Sequence, residues 1–332
     1  MNVPMVRPDL TSLETDYAHK ALIEGEIGVK SPYVKEFEEK LAVYTGFKFA
    51  VFCNSGWSAL VLACRVAKEE LGYTEITMPT FTMIATGTAA KQTGFKINFE
   101  DVDERGLLRG KYEGLLMTVD MYGKLCEARA DFIIEDAAEV AGKLPYYGNI
   151  VCMSFFYNKI MTTGNGGACL TNDENLYKEM CLFRHHYYDG HSYVHNKDGY
   201  NFSQTGVMAA IGTKQLERLE EILAKRKALG ERYVNELGAW SCDTYWYQPY
   251  LCGTPEVKQA LGKFLEQKGI ATRDFFNPLH KMPPFGKKTK LPMADKLYGR
   301  GILLPLFSAM TKEEQDYVID SVHQFYNNIP RL

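Results

Sequence analysis

The 332-residue sequence lacks any run of the ~18 to 20 uninterrupted apolar residues that a spanning helix needs; its best run, from Ser58, is broken by Arg65 directly after Cys64. A membrane-bound protein is therefore not expected. It lacks a basic surplus as well, because 38 Lys+Arg stand against 41 Asp+Glu for a formal net charge of −3, which argues against a nucleic-acid partner. Among its eight cysteines no two form a CxxC pair. The opening Met1-Asn2-Val3-Pro4-Met5 has none of the charged-then-apolar layout of a signal peptide, so the expectation is a cytoplasmic protein with reduced thiols. No internal repeat and no low-complexity tract is present. What the chain does have is 46% hydrophobic and 13% aromatic residues with only 24% charged, enough to bury a large core in one large or two ordinary domains.

Short apolar segments rich in β-branched and aromatic residues recur at 50–53, 75–78, 96–99, 115–119, 132–135, 151–155 and 168–170. Their lengths suit buried strands. Amphipathic stretches such as 58–71 and 85–92 separate them, which predicts β/α alternation around a mostly parallel sheet with ligands at the strand carboxyl ends. After Asn201 the pattern changes. Leu216, Leu219, Ile222 and Leu223 recur at helical spacing in a charged stretch running to about Leu237, which predicts a connecting helix. A strand over 244–251 and helices over 255–268 and 312–326 suit a smaller α/β domain. The boundary falls at 215/216, with the N-terminal segment counted in the large domain, 1–215, and the connecting helix in the small one, 216–332.

Three places could carry chemistry. Lys159 follows a strand-like segment and precedes the glycine-rich turn Thr162-Thr163-Gly164-Asn165-Gly166-Gly167, where a partly desolvated amine can have a lowered pKa; by spacing alone a solvated surface lysine is the simpler reading. Asp136 ends the apolar strand Phe132-Ile133-Ile134-Glu135. It could cap a helix or hold a proton on the ring nitrogen of an electron sink. Asn54-Ser55-Gly56-Trp57-Ser58 turns from a strand into an apolar helix, so its free N–H groups could hold a phosphate, with Ser58 adding a hydroxyl, or Asn54 and Ser55 could merely cap the helix. Taken together, a phosphate site, an acid and a lysine on successive strand ends are the parts that an enzyme using pyridoxal 5′-phosphate (PLP) requires.

Over nearly its whole length the sequence resembles the DegT/DnrJ/EryC1/StrS family of PLP-dependent nucleotide-sugar aminotransferases. The likeness runs through Pro79-Thr80-Phe81-Thr82, Asp101-Val102-Asp103, Tyr122-Gly123, the lysine segment, Gly199-Tyr200-Asn201-Phe202, Ala209-Ala210-Ile211-Gly212, Thr272-Arg273, Pro278-Leu279-His280 and Leu303-Leu304-Pro305-Leu306. It implies the aspartate-aminotransferase-like PLP fold, fold type I, with a mostly parallel seven-stranded sheet in the large domain. Lys159 is similar to the lysine that holds the cofactor and shuttles the proton, Asp136 to the partner of the pyridine nitrogen, and Gly56, Trp57, Ser58 and Ser154 to phosphate ligands. Asn201 resembles the phosphate ligand donated by a neighbouring subunit, which implies a homodimer with shared active sites. Met83 lies where an aromatic ring usually stacks on the cofactor. Glu139 stands where most relatives have Gln near the cofactor's phenolic oxygen, and members that form a 4-amino sugar are similar in carrying Glu.

The resemblance therefore implies a nucleotide-linked 4-keto-6-deoxy sugar, GDP-4-keto-6-deoxymannose foremost, as substrate, and L-glutamate as amino donor. Amination of a 3-keto sugar, or a non-catalytic binding or regulatory role, are the alternatives. His186, Arg273 and His280 resemble substrate-side positions. The sequence departs from the family at Trp57 (usually Thr), Asp120 and Lys124 (His and Gln), Asn165 (Glu) and Ser203 (Arg). His185, His186, His191 and His195 invite a metal reading, but no matching Cys or acid spacing accompanies them, and a substrate-facing loop with no metal is expected. The run Lys287-Lys288-Thr289-Lys290 reads most simply as a solvated loop.

Overall fold

The computed structural model describes residues 1–190, 193–286 and 289–328. Helices α1 (Ser12–Ile23) and α2 (Pro32–Thr45) lead into the seven strands expected: β1 (Phe49–Cys53), β2 (Glu75–Pro79), β3 (Lys96–Glu100), β4 (Leu115–Val119), β5 (Phe132–Asp136), β6 (Ile150–Ser154) and β7 (Gly167–Thr171). They form one sheet in the order β1-β7-β6-β5-β4-β2-β3. Pairing is parallel from β3 across to β6, while β7 runs antiparallel to both β6 and β1. The carboxyl ends of six strands thus share one edge with the amino end of β7, where Cys53 and Ser154 both pair with Gly167.

The expected helical crossovers occur only in the first half. Helices α3 (Gly56–Glu69) and α4 (Ile84–Gln92) connect β1 to β2 and β2 to β3. Among the described residues the connections 101–114, 120–131 and 137–149 hold no α-helix, only the single turn Met121–Gly123. In 120–131 apolar residues do recur at helical spacing, at Met121, Leu125 and Ala128, but the backbone turns left-handed at Tyr122 and Gly123, φ 53° and 81°, and cannot run on as a right-handed helix. Helices α5 (Glu174–Arg184) and α6 (Gly206–Glu217) follow, and α1 and α2 pack on α6. Phe37, Leu41, Phe52, Phe155, Met161 and Leu216 belong to the core on that side. On the other face α3 is buried almost all round, from Ser58 to Ala67, among β-strand residues such as Val51, Ile134 and Cys152.

Arg218 breaks the helical run between α6 and α7 (Leu219–Leu237), its guanidinium held by Asp9 at 2.9 Å and Glu14 at 2.8 Å. Strand β8 (Gln248–Leu251), helix α8 (Pro255–Gln267), strand β9 (Arg273–Asp274), helix α9 (Pro292–Arg300), strand β10 (Gly301–Leu304) and helix α10 (Lys312–Asn328) complete the chain. The three strands pair antiparallel as β8-β10-β9. Residue Val3 bridges Ile270 and lies in the apolar cluster of this smaller unit with Tyr233, Leu261 and Val318, while Met5 joins the core beside α2 and the large sheet. No described helix is long and apolar enough to cross a membrane.

Candidate active site

The turn from β1 into α3 is built by its cap. Ser55 is the N-cap, and its hydroxyl accepts from Ser58 N–H at 3.1 Å; Ser58 in turn donates its own hydroxyl to Asn54 Oδ1 at 2.6 Å. The first N–H groups of a helix have no intrahelical acceptor, which leaves those of Gly56 and Trp57 for a ligand. Backbone packs tightly here. A Cβ on Gly56 would lie 2.7 Å from Ser154 Cβ, and one on Gly167 2.3 Å from the Ser55 carbonyl oxygen. Only glycine lets the helix start close over the ends of β6 and β7, forming a small cradle of N–H groups and the Ser154 hydroxyl at the positive end of the helix dipole. Gly56→Ala is expected to push the start of α3 away from Ser154 and weaken phosphate and PLP affinity about 10- to 100-fold, as checked by fluorescence titration of the cofactor-free protein.

One strand over, Asp136 ends β5. Its Oδ2 accepts from the Thr86 hydroxyl at 2.7 Å, and the Thr86 oxygen also lies 2.8 Å from that of Thr82. Oδ1 takes the Ala138 N–H at 3.2 Å, an Asx turn rather than a helix cap. Burial pushes the carboxyl pKa up, against the Thr86 and Ala138 hydrogen bonds and the charge of Lys159. A carboxylate so placed gains from a cationic partner. Glu139, the residue directly after the turn, accepts the Tyr122 N–H at 2.8 Å. Its pKa is pushed up to about 7 by burial, opposed by the nearby lysine. Tyr122 pays for this contact in backbone strain, with φ at 53° and its hydroxyl locked by the Phe276 N–H at 2.7 Å.

Lys159 follows β6 in a turn closed by its own N–H on the Phe156 carbonyl at 2.9 Å. Its amine is lowered in pKa by burial and by Arg273, and raised by Glu139 and Asp136, so two carboxyls and one guanidinium act electrostatically on the amine. Arg273, exposed on β9, also lies 5.7 Å from the centre of the Tyr247 ring. The strand-end lysine, the acid and the capped turn singled out from sequence thus converge on one edge of the sheet.

The remaining positions scatter. Met83 caps α4 with its sulfur accepting the Ala85 N–H at 3.0 Å, and its side chain is half exposed. Asn201 is exposed, and its carbonyl accepts from Asn54 Nδ2 at 3.3 Å, beside the cradle of its own chain. His186 has a left-handed backbone, φ 56°, and its carbonyl meets His195 Nδ1 at 2.7 Å; it lines a cavity of about 640 Å³ with Lys30, His185 and Tyr188. Its contacts among the described residues do not reach Lys159. His280 is buried, with Nδ1 2.8 Å from the Thr80 hydroxyl and Nε2 3.4 Å from Asp295, and burial lowers its pKa. No group of three or more His, Cys, Asp or Glu suited to a metal occurs among the described residues. His191 of the histidine group and Lys287-Lys288 of the basic run lie outside them.

Residues that sequence reasoning missed include Thr86, whose hydroxyl aims Asp136, and Trp246, whose ring centre is 4.1 Å from Lys159 Nζ. Lys124 is also unexpected: it is buried with Nζ 3.1 Å from the Trp240 ring centre, and desolvation lowers its pKa to about 7.

A family model for the DegT/DnrJ/EryC1/StrS aminotransferase family matches residues 8–323. The chain belongs to that family, and it is a PLP-dependent sugar aminotransferase. It is similar to the GDP-perosamine synthase of Escherichia coli O157:H7, 31% identical over 98% of this chain and 99% of that one. In fold it is similar to Helicobacter pylori PseC, an aminotransferase involved in the biosynthesis of pseudoaminic acid, with a TM-score of 0.89 and 20% identity over 99% and 100% of the two chains. A sugar aminotransferase from Streptococcus pneumoniae in its PLP form gives a TM-score of 0.88 at 22% identity over 98% and 99%. The residues present fit the cofactor: the Gly56–Ser154 cradle matches a phosphate, buried Asp136 is suited to a protonated ring nitrogen, and the Lys159 amine lies beside both carboxyls.

Proposed function

We propose that this enzyme transfers the amino group of L-glutamate to C4 of a nucleotide-linked 4-keto-6-deoxy sugar, GDP-4-keto-6-deoxymannose foremost, as a homodimer with shared active sites. The observation that carries the reading is the Lys159 amine, in the turn after β6, under the charges of Asp136 and Glu139 on the sheet edge that also carries the cradle. The choice of sugar is supported by the likeness to GDP-perosamine synthases.

Bound PLP supplies an electron sink that lets a proton leave the carbon next to the amino group. Gly56, Trp57 and Ser154 hold its phosphate, and Asp136, aimed by Thr86, keeps a proton on its ring nitrogen. Lys159 Nζ, lowered in pKa by burial, takes the proton from the α-carbon of glutamate and later delivers one to the sugar carbon; one base serves both halves. Glu139, near neutrality in pKa, is poised to exchange a proton with groups beside Lys159. Arg273 supplies a fixed positive charge at the mouth for a substrate carboxylate or diphosphate.

The test is incubation of the purified PLP-loaded enzyme with glutamate and GDP-4-keto-6-deoxymannose, followed by NMR of the product. An amine on C4 is expected. An amine on C3 of a 3-keto substitute, with no turnover of the 4-keto sugar, would overturn the assignment of position.

A further inference from the structure

We propose that Trp246, contributed by the segment leading into β8, is the positioning residue of the Lys159 amine: its indole N–H anchors the backbone that carries the lysine, and its ring screens Nζ from water. The proposal rests on Lys159 being the reactive amine.

Trp246 is buried, and Nε1–H donates to the carbonyl of Asn158, the residue directly before Lys159, at 2.7 Å. Lys159 N–H closes on the Phe156 carbonyl at 2.9 Å, so the lysine-bearing turn is held from inside by its own bond and from outside by the indole. The ring face of the same side chain lies 4.1 Å from Nζ. Only tryptophan joins an apolar face of this size to a donor on its edge; phenylalanine keeps the face and loses the donor. The amine therefore meets Asp136, Glu139 and Arg273 as charges, and the indole face as its cover against water.

Trp246 is itself fixed by a second buried group. Arg226 of α7 sends Nη1 to the carbonyls of Trp246 at 2.8 Å, Tyr245 at 3.2 Å and Leu306 at 3.3 Å. Among the described residues no carboxylate pairs with it, and burial brings its guanidinium down to about 10. A charge solvated only by carbonyls is costly to move out of register, because both it and the carbonyls would lose their partners. The connecting helix thus sets where the indole stands, and through the indole where the lysine stands.

The test reads the amine itself. Cofactor-free full-length protein is labelled with trace acetic anhydride across a pH series, and mass spectrometry of the Lys159 peptide gives the titration midpoint of Nζ. Trp246→Ala admits water and is expected to raise the midpoint by about 1 pH unit. Trp246→Phe keeps the cover and is expected to leave the midpoint within about 0.3 unit of wild type, while kcat falls about 10-fold with little change in the KM for glutamate as the turn loses its anchor. An unchanged or lowered midpoint in a folded Trp246→Ala protein overturns the proposal. Should that variant not fold, Trp246→Phe decides, since wild-type kcat there overturns the anchoring role. A protein that shows these midpoints yet turns over no sugar would sink the proposed function and leave the role of Trp246 standing.

Discussion

Lys159→Ala is expected to abolish transamination, lowering kcat by ~10⁴-fold or more, because the amine acts in both half-reactions and its removal leaves no base within reach of the donor's α-carbon. The fold should survive, because the lost amine takes its desolvation cost with it and the carboxyls it faced, already raised in pKa by burial, can take up a proton instead of standing as unpaired charges. The pH dependence of stability should change in a defined direction. Glu139 has a folded pKa raised to about 7 by burial, above its ordinary value, so the folded state binds more protons than the unfolded one between roughly pH 5 and pH 7 and stability falls as pH rises through that window. The lysine opposes this shift. Its loss should steepen the fall and extend it above pH 7, as thermal melts at a series of pH values will register. A variant with more than a few per cent of wild-type kcat would remove Lys159 from its role.

Asp136→Asn is expected to cost about 10³-fold in kcat while leaving the protein folded. The amide keeps the size of the side chain; its single oxygen can accept the Ala138 N–H while its NH2 donates to the Thr86 hydroxyl, which can turn its own proton toward Thr82, so the geometry at the end of β5 persists. What disappears is the negative charge that holds a proton on the ring nitrogen. Burial raises the Asp136 pKa, so this carboxyl is stabilised as an anion chiefly when a cation sits against it, and the cofactor's affinity should fall with kcat. Single-turnover kinetics with glutamate separate the two effects. An Asp136→Asn protein with near wild-type turnover would mean that some other group tunes the ring.

Much of this was legible in the sequence. All seven strands of the large sheet lie within a residue or two of the expected segments, because fully buried strands read as short continuous apolar runs. The capped turn at Ser55 and the acid at Asp136 stand at strand ends because each ends an apolar run, while Lys159 lies in the turn five residues beyond the end of β6. The helix-free crossovers were not foreseen; alternation is a default, and the left-handed backbone at Tyr122 and Gly123 that breaks the 120–131 stretch leaves no mark in the apolar pattern. Thr86 and Trp246 were equally silent. Thr86 looks like an ordinary first-turn residue of α4, and its meaning comes from Asp136, which is fifty positions away in sequence. Trp246 reads as one more aromatic in Tyr245-Trp246-Tyr247, and only the approach of the β8 segment to the lysine turn makes it part of the site. Val3 was counted with the nearer unit because chain proximity says nothing about a bridge to Ile270.

The most direct measurement is an absorbance spectrum of the purified protein with PLP, followed by L-glutamate and then GDP-4-keto-6-deoxymannose, with Lys159→Ala in parallel. A visible band of lysine-bound cofactor should form in the wild type, bleach on addition of glutamate and return on addition of the keto sugar, and be absent in the variant. No band in the wild type, or an identical band in Lys159→Ala, would contradict the assignment of Lys159 as the amine at the centre of this site.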